Sequence, residues 1–273
     1  VMVILPTILW LGAKAVNNLT GLELIPAMIL LGGLSLAYSL YGGLKAVALT
    51  DVIQVVLLIF GGLFVTYKGL DLLSEGNGLF EGFMILQSEF PEKFDAILSY
   101  APKEVDPEAY ANYIKLPGIW VLIGGMWIAH FYYWGTNQYI TQRALGGKSL
   151  DEAQNGLMFA GFLKIFMPIV VVLPGLIAVA LEANGTINLA GDRSNAYPSM
   201  LNLLPEGIKG LTFAALVAAI VSSLASLSNS VSTIFTMDIY RKDQDINDVS
   251  LVKIGRIAGF VGLVTSIIVA PIF

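Results

Sequence analysis

Three stretches of the chain place polar side chains where a long apolar helix would not carry them. One is Ala219-Ile220-Val221-Ser222-Ser223-Leu224-Ala225-Ser226-Leu227-Ser228-Asn229-Ser230. At helical spacing, positions 219, 222, 223, 226 and 230 share one face and Ser228 lies off it. A hard cation such as sodium takes oxygen ligands, by the logic that governs Ca²⁺ and Mg²⁺. The hydroxyls of Ser222 and Ser223 can supply two, and the carbonyl of Ala219 a third. The same small residues also suit close packing between membrane helices. Spacing alone does not choose between a sodium site and a packing seam.

The second stretch runs Met126-Trp127-Ile128-Ala129-His130-Phe131-Tyr132-Tyr133-Trp134-Gly135-Thr136-Asn137-Gln138 and holds the only histidine of the chain. Each unsatisfied polar group costs free energy in hydrocarbon, so a lipid-facing helix does not concentrate them. Aromatic faces beside hydrogen-bonding groups suit a sugar, which has apolar C–H faces and polar edges. An aromatic belt at the membrane interface is the alternative. It accounts for Tyr132, Tyr133 and Trp134 but not for His130. The third stretch sets Lys164 within Phe159-Ala160-Gly161-Phe162-Leu163-Lys164-Ile165-Phe166-Met167-Pro168. A lysine at mid-bilayer costs about 2.5–3.5 kcal/mol on insertion scales. It calls for a cavity or a partner unless it snorkels to an interface. Pro168 has no N–H, which leaves the carbonyl of Lys164 without its helical donor. A further carboxylate, Asp51 in Ala48-Leu49-Thr50-Asp51-Val52-Ile53-Gln54, opens an apolar segment. The helix dipole favours an aspartate there; a place on an ion exit path is the sharper alternative.

The elements that must position these residues are membrane helices. The chain is 56% hydrophobic and 13% charged, against about 25% charged in a soluble domain, and its mean hydropathy is +0.76. About 20 mostly apolar residues cross a bilayer. Seven segments qualify, at about 1–13, 22–41, 50–68, 118–140, 155–181, 208–237 and 251–273. They form a single transmembrane domain, expected to be incomplete at both ends because each end lies in an apolar run. A turn through Gly42-Gly43 is expected between the second and third segments. The small-residue pairs Gly33 with Ala37 and Gly255 with Gly259 mark sites of close helix approach. The connection 69–117 is long enough to carry structure of its own. Leu79-Phe80, Phe83-Met84, Phe90 and Phe94 would give it one apolar stripe. Lys and Arg fall evenly on the two sides, but one set, with Lys45, Arg143 and Lys148, sits in the shorter connections. That set is expected in the cytoplasm, with 69–117 as the extracytoplasmic loop.

Several classes are excluded. A net charge of −5 offers no basic patch for nucleic acid. The chain has no cysteine, hence no disulfide and no thiolate chemistry. A lone histidine without an H-E-x-x-H run, and no nucleophile set beside a base, argue against an intramembrane enzyme. Lipid bilayer and a small solute are the partners to expect, and no protein partner is evident.

Tyr41-Gly42-Gly43-Leu44-Lys45-Ala46-Val47 with Thr50-Asp51-Val52-Ile53-Gln54, Tyr132-Tyr133-Trp134-Gly135-Thr136-Asn137-Gln138 with Gln142-Arg143, and Ala215-Leu216-Val217-Ala218-Ala219-Ile220-Val221-Ser222-Ser223-Leu224-Ala225-Ser226 together resemble the sodium/solute symporter family. The likeness covers nearly the whole chain and leans to the bacterial sodium/galactose branch. It implies an all-α membrane protein, a fragment of a leucine-transporter-type inverted-repeat fold of five plus five helices, covering core helices three to nine. It implies a secondary active symporter, an importer of a sugar or polyol with co-transported sodium in a bacterial inner membrane. A non-sugar solute such as an amino acid, carboxylate or vitamin is the alternative within the family. By that resemblance Ala219, Ser222 and Ser223 fall on sodium-liganding positions, Tyr133 on an inner-gate tyrosine with Trp134 beside it, and Lys164 on a substrate-contacting lysine. His130 and Ile4 stand where the galactose carriers have asparagines, which leaves the identity of the sugar open.

Overall fold

A computed structural model describes residues 3–95, 97–115, 118–241 and 246–272, the side chains of 40–47 being set aside. Among the described residues the secondary structure is helical throughout. Helix α1 spans Ile4–Thr20 and closes on Gly21, whose φ of 75° is open to glycine at no steric cost. Helix α2 is assigned from Leu24 to Leu73 without a break. At 1.5 Å per residue a straight helix would separate Leu34 from Gln54 by roughly 30 Å. Both instead line one cavity with Phe213 and Val217. The two arms of α2 therefore double back along the same partner, and the reversal lies between Ser39 and Ala48. The turn expected at Gly42-Gly43 falls within 40–47, outside the fully described residues.

The rest of the chain follows in order. Short helices α3 (Leu79–Glu89) and α4 (Pro107–Lys115) structure the long connection. Next come α5 (Gly118–Trp120) and α6 (Met126–His130), which π-helical turns at Val121–Gly125 and Phe131–Thr136 join and extend. Helix α7 covers Gln138–Leu145, α8 Leu150–Ala183, α9 Ala196–Asn202, α10 Glu206–Ile234 and α11 Asp248–Val269.

Five helices among the described residues are long and apolar enough to cross a membrane, or six if the pair Ile4–Thr20 and Leu24–Ser39, bent by 117°, counts as one broken span. The first two of the seven segments read from hydropathy fall on that bent pair: the 17 residues of α1 reach about 25 Å, against a hydrocarbon core of about 30 Å, and its second member ends at Ser39, where the fully described residues stop. The segment expected at 118–140 also stops early. At Asn137 the backbone leaves the helical region, and the side chain accepts a hydrogen bond from the N–H of Tyr139 to start α7. Asparagine favours such a cap over a helix interior.

Two buried clusters hold the helices together. Leu5, Leu9, Ala13, Met28, Leu31, Leu224, Leu227 and Leu263 join α1, the first arm of α2, α10 and α11. Val65, Leu70, Ile177, Leu181, Met200 and Leu201 join the second arm, α8 and α9. In lipid such contacts stabilise by close packing rather than by escape from water. Gly255 and Gly259 serve that purpose as expected: an added Cβ would come within 2.6 Å of Ser232 Oγ and 3.0 Å of Ser228 Oγ. Gly33 does not, having open space where its side chain would be; Gly32 faces Leu263 instead. In the long connection Phe83 meets Phe94 edge-on at 5.8 Å, and Leu86 is buried. Phe80 and Met84 point outward, so the expected single stripe is split.

The end of α1 is tied to the connection between α8 and α9. Lys14 donates to Asp192 in a short ion pair, and Asn18 Nδ2 donates to Asn195 Oδ1 at 2.7 Å. The Lys14 ammonium, with the N–H and hydroxyl of Ser194, holds the Asp192 carboxyl down at about 2. A depressed carboxylate pKa contributes stability that is complete above the ordinary value near 4 and is lost as pH falls through about 2. Hydrogen-exchange protection across 184–195, taken relative to the intrinsic rate at each pH, is therefore expected to stay flat from pH 8 to 5. At neutral pH, Asp192→Asn should speed exchange there and leave α10 unchanged. Equal protection of this loop in the variant and the parent would show that the pair holds nothing in place.

Candidate functional site

The hydroxyl face of α10 meets α2 and α7. Ser222 is buried, and its Oγ donates a short hydrogen bond to Asp51 Oδ1. The other Asp51 oxygen accepts from Arg143 of α7 at 2.8 Å. Arg143 also donates to Ser226 Oγ at 2.8 Å, and Gln142 Nε2 donates to the Ser226 carbonyl at 3.2 Å. Asp51 thus has two cross-helix donors, Ser222 and Arg143. Ser223 is half-buried beside Ser222, and Ala219 lies one turn earlier at a similar depth. A serine hydroxyl that gives its only proton to a carboxylate keeps its oxygen lone pairs for something else. In this arrangement that something is electropositive. Ser228, expected off this face, donates to the Gly259 carbonyl at 3.3 Å and belongs to the seam with α11.

The aromatic and lysine residues form a second group. Lys164 of α8 places Nζ 4.5 Å from the centre of the Trp134 ring. Tyr133 meets Trp134 edge to face, with ring centres 5.1 Å apart. A cation over an indole face is the strongest of the cation–π pairings. This contact gives Lys164 the partner that its position in an apolar run demands, so snorkelling is not needed to explain it. His130 precedes Trp134 by four residues, at the start of the π-helical turns, and it is exposed. Among the described residues it makes no hydrogen bond to this group. The structure brings Tyr133, Trp134 and Lys164 together and leaves His130 on the same element without a recorded contact to them. π-Helical turns are frequent at functional sites, and here they carry Tyr133 and Trp134.

Sequence reasoning missed Gln142 and Arg143 as site residues. They read as the charged and polar end of a helix, one of them a cytoplasmic marker. Their role depends on the break at Asn137, which turns α7 toward α10. The available signal was the unpaired Asp51: a carboxylate near an apolar stretch needs a cation, and Arg143 is one of few in reach of a helix end.

Comparison with known proteins agrees with this geometry. Residues 2–273 match the family model described as the Sodium:solute symporter family. A sodium/glucose cotransporter of Vibrio parahaemolyticus is 43% identical over 99% of this chain and 51% of its own length. A sodium/myo-inositol cotransporter 2 of Homo sapiens is 31% identical over 97% of this chain and 41% of its own. The chain spans about half the length of the curated relatives it matches. A solved Na⁺-coupled sialic acid symporter, substrate-bound and outward-open, shares the fold with a TM-score of 0.76 at 21% identity, covering 99% of this chain and 56% of that one. With its membrane-length helices, this integral membrane protein belongs to the sodium:solute symporter family.

Proposed function

We propose that the protein containing this chain imports a sugar or polyol together with sodium by alternating access, as a carrier and not as an enzyme. The observation that carries the reading is the Lys164–Trp134–Tyr133 group, a charged donor and two aromatic faces held by different helices at one place. Aromatic faces stack on the C–H side of a sugar ring while the ammonium and the phenol hydroxyl reach its oxygens. His130, exposed one turn earlier on the same element, would meet the solute from its side. The names of the relatives, a glucose and a myo-inositol cotransporter, are those of solutes with this chemistry.

Sodium would lie on the α10 face, held by Ser222 Oγ, Ser223 Oγ and the Ala219 carbonyl, with further oxygens from parts of the protein outside this chain. Asp51 orients the Ser222 hydroxyl and, as the nearest carboxylate, offers the ion a way out. Tyr133 with Trp134 closes the path beneath the solute. An ion bridging α10 and another helix stabilises the state that binds solute, and by linkage the solute then tightens ion binding by the same factor. The loop 69–117 would face outside, in a bacterial inner membrane.

Uptake of labelled sugars, polyols, amino acids and carboxylates by the full-length protein in proteoliposomes, with and without a sodium gradient, tests the reading. Lys164→Ala should weaken solute half-saturation roughly 10- to 100-fold, the range for losing a hydrogen bond from a charged donor, and leave that of sodium within about twofold on the same scale. Tyr133→Phe should retain more transport than Tyr133→Ala. Uptake of a carboxylate instead of any sugar would assign Lys164 to a carboxylate and select the non-sugar alternative.

A further inference from the structure

Helix α8 is of membrane length and carries two prolines inside it, Pro168 and Pro174. Neither has an N–H, so the carbonyls of Lys164 and Val170 lose their helical donors, and prolines are where helices bend. The turn between them is the least self-supported part of α8. The buried residues of this helix, Pro174, Ile177, Ala178, Ala180 and Leu181, all come after that turn, and Lys164 comes before it. How Lys164 stands over Trp134 therefore depends on what holds the turn. The second arm of α2 holds it at two places. The buried Thr66 hydroxyl shares its one proton between the Gly62 carbonyl of its own helix and the Ile169 carbonyl of α8, each at 2.9 Å. Gly62 lets the two backbones meet: a Cβ there would collide with the Val170 side chain and lie 3.2 Å from the Val170 carbonyl.

We infer that Thr66 is a positioning residue: its hydrogen bond to Ile169 sets the bend of α8 that brings Lys164 over the Trp134 ring. Its effect on transport rests on the proposed contact of Lys164 with the solute. A threonine inside a helix can satisfy its hydroxyl by bonding back to its own backbone, so Gly62 alone would serve Thr66. The second acceptor ties the hydroxyl to the one turn of α8 whose ladder is broken on both sides. The Ile169 carbonyl has two lone pairs and takes this donor beside the helical one. Thr66 thus acts through the backbone of α8 and not by reaching the aromatic group itself. Without its hydroxyl the turn relaxes, and Lys164, one to two turns earlier, moves off the ring.

The test labels the full-length protein with fluorotryptophan and follows the fluorine resonance of Trp134, assigned by its loss in Trp134→Phe. Lys164→Ala gives the position of that resonance without the cation. In the absence of solute, Thr66→Val keeps the shape, drops the hydroxyl and should move the resonance most of the way toward that position. Thr66→Ser should leave it where the parent has it. Gly62→Ala keeps the hydroxyl but pushes α8 away, and should move the resonance off the parent position too; it carries the test if Thr66→Val does not fold. In proteoliposomes Thr66→Val should raise the solute half-saturation roughly 2- to 10-fold, the range for one neutral hydrogen bond, with maximal rate and sodium half-saturation unchanged. Thr66→Ser should restore the parent value. An unmoved Trp134 resonance in Thr66→Val or, where that variant does not fold, in Gly62→Ala overturns the proposal. So does a Thr66→Ser spectrum matching that of Thr66→Val. A moved resonance with an unchanged solute half-saturation keeps Thr66 as the residue that places Lys164, and removes Lys164 from the solute instead.

Discussion

Ser223→Ala should raise the sodium concentration for half-maximal uptake roughly 10- to 100-fold, the range for losing a hydrogen-bond-like contact to a full charge. The substitution removes one oxygen and little volume, and among the described residues the Ser223 hydroxyl has no protein partner to lose. Packing should therefore be unchanged, and thermal stability without sodium should match that of the parent. Solute affinity should fall at low sodium and recover at saturating sodium, as reciprocal coupling requires. Ser222→Ala should act on sodium in the same direction but also lower stability, because it strips Asp51 of a donor inside the bilayer. Thr233→Ala is the control, its exposed hydroxyl being bonded only to the Asn229 carbonyl of its own helix. Identical sodium dependence in Ser223→Ala and parent would return the hydroxyl face to helix packing.

A second large effect is expected at Asp51 and Arg143. Removing one partner of a buried ion pair costs about 3–5 kcal/mol. The side chains here keep 21% and 38% exposure, respectively, so solvent screening cuts the expected loss to roughly 1–2 kcal/mol. Asp51→Asn should lower Tm and weaken sodium together, since it both strands Arg143 and gives the Ser222 hydroxyl a poorer acceptor. Arg143→Gln should lower Tm with a smaller effect on sodium. The double variant should be more stable than the sum of the two losses predicts, by about 0.5–3 kcal/mol for residues in one network. Strict additivity in the thermal data would show that the contact does not join α2 to α7 energetically.

The polar positions in this chain were legible because the medium makes them stand out. In an apolar background a hydroxyl stripe at 222 and 223, a lysine at 164 and an aspartate at 51 each demand a reason, and helical spacing says which share a face. The same logic located the membrane helices, which need only local hydrogen bonds and about 20 apolar residues. Hydropathy does not see geometry inside such a run. It gave one segment for 118–140, although asparagine capping at Asn137 divides it. Nor does it see that the helices of its first two segments, α1 and the first arm of α2, are bent by 117° to each other.

The sequence by itself determined that the chain is a helical membrane protein, where its polar residues lie, and which ligand chemistry those residue types allow. Those properties follow from composition and from the local periodicity of the backbone. Partnership was decided only by tertiary structure. Arg143 reaches Asp51 because α7 turns at Asn137, 86 residues along the chain from Asp51. Lys164 meets Trp134 because α8 brings its ammonium over a ring carried by π-helical turns on another element. The Thr66 hydroxyl finds the Ile169 carbonyl, 103 residues along the chain, only where the second arm of α2 lies against α8. Spacing along one helix fixes a face, but which helix arrives at that face depends on packing among elements far apart in sequence.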